Sequence, residues 1–434
     1  MPLNSLFKMT PLSEISEAIK DGTHGTFRRV KAGVPFLSAK NVTENGLVEW
    51  GDNDDLVSKE DYIAITSSFK PRLNDLLLTI VGSLGRRALF KEAEVAFQRS
   101  VAFIRPNTSK VLPRFLFQST GSNAFYRQLV QRSNATAQAG LYLGELAKTE
   151  IPIPEIEEQA RIAYVLDTID EAIAKTEAVI AKLKQVRTGM LHDLLSYGLD
   201  ENGQLRDPIT HPEQFKDSPL GRIPKKWEIR TLDSLGRWAG GKTPSKANPE
   251  FWTPPVSLWV TPKDVKDTAV ASTEEKLSMI GSSIMEIFPA GSLLVVGRSG
   301  ILRHTLPVAI ATSPFTINQD LKVLVPNNQA NEPTAQFLLL ILLSRDEDIL
   351  RRCVKVGTTV ESIDWKDFKN LLVGWPSQSE RFLIFKQIKT VDNQVLIFSE
   401  ELKKLHSLKS GLQDDLLTGR VRVPANINLK EADR

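Results

Sequence analysis

Apolar residues recur at steps of three and four along two long stretches of the chain. In the first they fall at Ile162, Leu166, Ile169, Ile173, Ile180, Leu183, Met190 and Leu194. In the second they fall at Ile384, Ile388, Val391, Val395, Phe398, Leu402, Leu405, Leu412 and Leu416. Such spacing keeps one apolar stripe on one side of a helix, and about five heptads of it make a seam of coiled-coil type. Pro154 and Pro376 stand just ahead of the two stretches, which suits a helix start. The two seams are copies of each other. Laid over Pro376–Leu417 at an offset of 222 residues, Pro154–Leu195 shows eleven identities without a gap, Glu158/Glu380, Asp170/Asp392 and Leu194/Leu416 among them. A basic residue, Arg187 or Lys409, interrupts each seam at the same place. Two units of this length account for nearly all 434 residues, so the chain reads as an internal duplication. Two equal seams in one chain predict an antiparallel pair of helices, each a rod of ~60 Å at the usual rise per residue.

Outside the seams the period changes. Short apolar runs bounded by Gly, Asn and Pro predict strands at Val34–Leu37, Leu76–Val81 and Val101–Ile104, and again at Ser257–Val260, Leu293–Val296 and Leu321–Val325. Each set is followed by an apolar helical stretch, near Arg114–Leu129 and Thr334–Arg352. The correspondence continues toward each long helix, where Thr136 matches Thr358 and Leu146 faces Phe368. The predicted fold class is α/β (α+β): two α/β domains separated by a long antiparallel two-helix coiled coil, with pseudo-two-fold duplication. The predicted boundaries are 1–153 for the first domain, 154–197 for the first helix and 198–226 for a connector punctuated by Gly and Pro. The second domain follows at 227–375, the second helix at 376–418 and a C-terminal tail at 419–434.

Composition narrows the function classes. The chain is 41% hydrophobic and 25% charged, with a net charge of +3, which suits a globular protein and does not by itself indicate nucleic acid. A single cysteine, Cys353, excludes an internal disulfide and a cysteine zinc site. The five histidines are scattered, so no metal site or Ser/His/Asp arrangement is expected. The longest apolar run, Phe337–Leu343, is too short to span a bilayer, and Met1–Thr10 lacks the pattern of a secretory leader. The expectation is a cytoplasmic protein with no membrane partner.

Two motifs lack the surroundings that their chemistry requires. Gly236–Thr243 matches GxxxxGK[ST], yet a phosphate-binding loop needs a buried strand before it and a helix starting at the lysine. Here Trp227–Leu235 alternates charged and apolar residues, and Pro244, Pro249, Pro254 and Pro255 follow. Nucleotide hydrolysis is therefore a weak alternative. Asn248-Pro-Glu-Phe251 is only partly like the Asn-Pro-Pro-aromatic motif of adenine methyltransferases, and no glycine-rich loop precedes it.

Glycine-rich basic loops recur in matched places instead. Ser83, Arg86 and Arg87 follow one predicted strand, and Arg298, Ser299 and Arg303 follow its counterpart. Gln98 and Arg99 match Asn318 and Gln319, while Lys40 and Asn41 match Lys263 and Asp264. Lys242 and Thr243 join the set from the Walker-like stretch. Arginine forks suit phosphate oxygens or guanine O6/N7, and side-chain amides can pair with adenine. Three matched pairs with no catalytic alternative favour DNA contact over plain surface turns.

These features resemble the specificity subunit of type I restriction-modification systems. The resemblance rests on Asp21-Gly-Thr-His24, Gly82-Ser-Leu-Gly85, Gly241-Lys-Thr-Pro244, Trp259-Val-Thr-Pro-Lys-Asp264 and Ile317-Asn-Gln319. It also rests on the connector phrases Gly198–Gly203 and Pro219–Pro224, and on the order domain, helix, domain, helix. It implies two target recognition domains, each reading one half of a bipartite site in double-stranded DNA. The helices would set the spacer and dock two modification (methyltransferase) subunits, with restriction/translocase subunits in the full complex. It implies no catalysis and no cofactor in this chain, S-adenosylmethionine, ATP and Mg belonging to partner subunits. A coiled-coil assembly scaffold without DNA recognition is the alternative.

Overall fold

A computed structural model describes residues 6–133, 140–327, 334–357 and 360–427. The matched Thr136 and Thr358 lie outside them. The chain divides into two compact units, Met1–Ala178 with Ser399–Arg434, and Val179–Phe398. Both boundaries fall inside the long helices, so each unit holds an end of both.

The helices run Ile156–Ser196 and Gln378–Thr418, each 41 residues. Neither contains proline, acidic residues stand in each first turn where the helix dipole favours them, and each starts two residues past its proline. Each ends at a glycine in the left-handed region, Gly198 at φ +62° and Gly419 at φ +74°, a backbone that stops a helix at little cost. In the first unit Ile162 and Leu166 share a buried cluster with Leu416 and Leu417 of the other helix. In the second, Leu191 and Leu194 share one with Ile384 and Ile388. The two helices therefore pair antiparallel in each unit. Ile169, Ile173, Ile180 and Val391 are buried, whereas Leu183, Met190, Val395, Phe398, Leu402, Leu405 and Leu412 are half-buried. The interrupting basic residues are ion-paired across the helices, Lys409 with Asp170 in the first unit and Arg187 with Asp392 in the second. The offset of 222 carries one pair onto the other.

The two units share one sheet topology. In the first, an antiparallel sheet runs in the order Ser16–Asp21, Val101–Pro106, Leu76–Thr79, Arg87–Leu89. In the second the order is Gly236–Gly240, Leu321–Pro326, Leu293–Val296, Val308–Ala311, with Ala269–Val270 added at the edge. A smaller three-stranded sheet accompanies each. Val34–Leu37 lies between Leu56–Val57 and Ala96–Phe97, just as Ser257–Val260 lies between Lys276–Leu277 and Phe315–Ile317. A two-stranded ribbon leads into each long helix, Lys8–Pro11 with Glu150–Ile153 and Glu228–Thr231 with Leu372–Trp375.

Several expectations need correction. The first apolar helical stretch is two helices, Pro113–Ser119 and Asn123–Arg132, broken around Gly121, where a Cβ would strike the Arg87 guanidinium. The second is likewise two, Thr334–Ser344 and Asp346–Cys353. The predicted strand Leu76–Val81 stops at Thr79. The connector, for which no strand was predicted, holds one hairpin, Phe215–Ser218 paired with Gly221–Pro224. The Walker-like stretch begins as a strand: Gly236–Gly240 pairs with Leu321–Pro326, so its amides serve a sheet ladder rather than a phosphate.

Candidate nucleic-acid interface

The matched loops converge in each unit at the end of its two sheets, through equivalent backbone bonds. Gln98 donates its amide to Leu37 O at 2.8 Å, and Asn318 donates to Val260 O at 3.0 Å. Ile80 donates to Ser100 O at 2.9 Å, and Gly297 donates to Asp320 O at 2.7 Å. These bonds bring the Gln98–Arg99 turn against the Gly82 loop, and the Asn318–Gln319 turn against the Gly297 loop. A third segment passes close by. A Cβ on Gly22 would lie 2.3 Å from the carbonyl oxygens of Phe97 and Gln98, and one on Gly241 would lie 2.0 Å from Ile317 O. Only glycine allows that approach. Thr23 and His24 thus flank Gln98, while Lys242 and Thr243 flank Gln319. Thr243 donates its hydroxyl to Gln319 Oε1 at 2.7 Å.

The side chains brought together differ in what they have left to offer. Asn41 is buried: its Oδ1 accepts from Ser38 N, and its Nδ2 donates to Glu49 O and Asp54 Oδ1, each at 3.0 Å. Asp264 accepts from Thr261 N, Thr261 Oγ1 and Glu274 N, each at 2.8 Å. Asn318 is buried and closes a turn with Asp320. These three hold their own loops, so their polar groups are spent inside the protein. Lys40 pairs with Asp54 at 2.7 Å, and bonds from Lys40, Asn41 and Gly51 hold that carboxyl down at about 2. Arg86 reaches Glu44 at 3.1 Å, and Arg303 pairs with the buried Glu361. Ser299 caps a short turn by accepting from Ile301 N, and Ser83 is half-buried, its carbonyl taking the Thr79 hydroxyl. Arg87 turns inward and donates Nε to Phe117 O at 2.8 Å, and burial pushes its guanidinium down to about 10.

Arg99, Lys242, Lys263, Arg298 and Gln319 remain exposed along this end. None of the four cations among them has an ion pair among the described residues. Unspent cations on adjoining turns suit phosphate oxygens and base edges, and Gln319, whose Oε1 is taken by Thr243, keeps its Nε2 as a donor. One feature of this region was not foreseen. Lys246 lies 3.8 Å from the Trp252 ring centre and 4.7 Å from that of Trp259, and it pairs with Glu275. Two tryptophans seven residues apart beside a lysine were its sequence signal. Elsewhere the chemistry is quiet. The described residues hold no cluster of three or more His, Cys, Asp or Glu able to bind a metal. Burial raises the Cys353 thiol to about 11, which leaves it unreactive. No helix among them is long and apolar enough to cross a membrane.

Each α/β unit thus sets converging polar loops at one end of its sheets and holds an end of both long helices. The family described as type I restriction modification DNA specificity domain matches residues 4–185 and again 224–407, and the chain belongs to that family. It is similar to the EcoR124I/EcoR124II specificity subunit of Escherichia coli, at 32% identity over 44% of this chain and 47% of that protein. The match thus spans about half of that relative's length. It is also similar to the HindI specificity subunit of Haemophilus influenzae, at 22% identity over 73% of this chain and 79% of that one. Its fold matches the crystal structure of a type I restriction-modification S subunit from M. genitalium, with a TM-score of 0.57 at 15% identity, covering 95% and 96% of the two chains.

Proposed function

We propose that this chain is the DNA-reading subunit of a type I restriction-modification complex, each α/β unit reading one half of a bipartite site. The observation that carries this is the repeated convergence of three loops on one sheet end, with exposed Arg99 in one unit and Lys242, Lys263, Arg298 and Gln319 in the other. Spent polar groups fix the loops, and unspent ones face outward. The chain supplies sequence readout and no catalysis. Methyl transfer, with S-adenosylmethionine, and ATP-driven steps, with Mg, fall to partner subunits. The long helices act as spacer and as the docking face for two modification subunits. Exposed Val179, Val186, Leu396 and Ile397 on the helical segments of the second unit support such docking.

The test is methylation mapping in cells that express the chain with its modification subunit, followed by binding of the mapped duplex across a salt series. A bipartite methylated motif is expected, with log K falling against log salt at a slope of about −0.9 per phosphate contact. Absence of sequence preference would overturn the proposal.

A further inference from the structure

Arg87 follows directly on the Gly82–Arg86 loop, and its side chain points away from that loop into the protein. Its guanidinium stacks 4.7 Å from the Phe117 ring centre and donates Nε to the carbonyl of the same residue at 2.8 Å. It also fills the space left by Gly121: a Cβ there would come within 1.8 Å of Arg87 Nη2. Gly46 packs on the far part of the same ring, a Cβ there meeting Phe117 at 2.7 Å. Asp170 of the first long helix acts on Arg87 electrostatically. That carboxylate pairs with Lys409 of the second helix and accepts from Gln118 Nε2 at 2.8 Å. Gln118 is fully buried, also donates to Asp167 at 2.7 Å, and takes a bond from Gln413 of the second helix at its carbonyl. A chain of polar contacts therefore runs from the base of the loop to both helices of the first unit.

A half-buried cation costs free energy unless its surroundings answer it, and here the answer comes from the Phe117 ring face and carbonyl, with the Asp170 charge acting from the helix. The strand holding Arg87 pairs with Leu78, so its side chain fixes where the loop leaves the sheet. We propose that Arg87 is a positioning residue, which holds the Gly82–Arg86 loop in its DNA-reading conformation from the helix side and does not itself touch DNA. The proposal rests on the reading of this chain as a DNA-specificity subunit.

The experiment is a double-mutant cycle of Arg87→Ala and Gly121→Ala in the chain assembled with its modification subunit. The probes are the duplex carrying the motif methylated in cells and a scrambled duplex. Arg87→Ala is expected to weaken binding to the methylated motif about tenfold, leaving the scrambled duplex and the salt slope unchanged. Gly121→Ala, whose Cβ meets the guanidinium, should give a similar loss alone and almost none beside Arg87→Ala, where the space is open. Arg87→Lys should restore part of the binding. Thermal midpoints read on the same four proteins should show the same non-additivity without any DNA. A salt slope that falls by about 0.9 in Arg87→Ala would make Arg87 a phosphate contact and overturn the proposal. Additive losses in the cycle would overturn it too. If the parent complex itself fails to prefer the methylated motif, the specificity reading falls, and the proposal falls with it.

Discussion

The loops that follow Leu76–Thr79 and Leu293–Val296 occupy the same place in the same sheet topology, yet they are held by different means. In the first unit the chain returns quickly to Arg87, a cation turned inward onto the ring and carbonyl of Phe117. In the second the return strand begins at the apolar Val308, which is buried, and a short helical turn, Gly300–Arg303, is inserted before it. There the tether is Arg303 to Glu361, with Gly297 O accepting from Ile363 N at 2.8 Å. The contrast between loops and helices is instructive. The two long helices carry equivalent ion pairs across the duplication, Asp170–Lys409 and Asp392–Arg187, because a charge set in an apolar seam needs its partner. The loops diverged, because a strand end tolerates any length that still closes its ladder.

The largest test of this comparison concerns the two buried carboxylates at the helix starts. Glu380 accepts from Leu199 N at 2.8 Å, Arg206 Nη1 at 2.6 Å and Trp227 Nε1 at 3.0 Å. Its counterpart Glu158 meets Arg422, which is largely exposed. Glu380→Ala leaves Arg206 buried without its partner and should cost about 3–5 kcal/mol in urea unfolding. Glu158→Ala should cost clearly less, and equal losses would show that the two sites are not organised differently.

Next come the arginines of the second loop. Arg298→Ala should weaken binding to the methylated motif by about 1–3 kcal/mol with an unchanged thermal midpoint. Arg303→Ala strands the buried Glu361, so it should lower the midpoint and leave the salt slope intact. An exchange of these two phenotypes would reverse the division between spent and unspent cations.

The helix ion pairs give a smaller effect. Asp170→Lys should destabilise the first unit, and adding Lys409→Asp should recover about 0.5–1 kcal/mol in a double-mutant cycle. The smallest effect is pH-dependent. The Asp54 carboxyl titrates at about 2, below its ordinary 3.8. Its bonds therefore stabilise the fold fully above the ordinary value, and that contribution is lost as the pH falls through about 2. Asp54→Asn should accordingly be less stable than the parent at pH 6, with the gap closing in thermal melts toward pH 2. A gap that stays constant would place the effect outside that titration.

Much of this molecule was legible in its sequence. The three-and-four spacing from Ile162 to Leu194 and from Ile384 to Leu416 lies inside the two long helices, each of which begins six residues earlier and ends two later, because local periodicity decides a long helix. The 222-residue offset announced the duplication that the sheet orders share. Strands Val34–Leu37, Ser257–Val260 and Leu293–Val296 were bounded correctly, since buried apolar runs end where turn residues begin. What composition could not reveal was which loop side chains are already spent. In the sequence Asn41, Asp264, Asn318 and Arg87 look no different from side chains that stay unpaired, such as Arg298. Their partners Asp54, Glu274, Asp320 and Phe117 stand two to thirty residues away, and only folding sets them at hydrogen-bonding distance. Nor could the sequence show that Gly121 is small in order to admit Arg87, or that Gly236–Gly240 is a strand despite its Walker-like spelling. Periodicity is a property of neighbours along the chain and survives in the sequence. The pairing of a buried polar group is a property of neighbours in space, and the tertiary structure alone decided it.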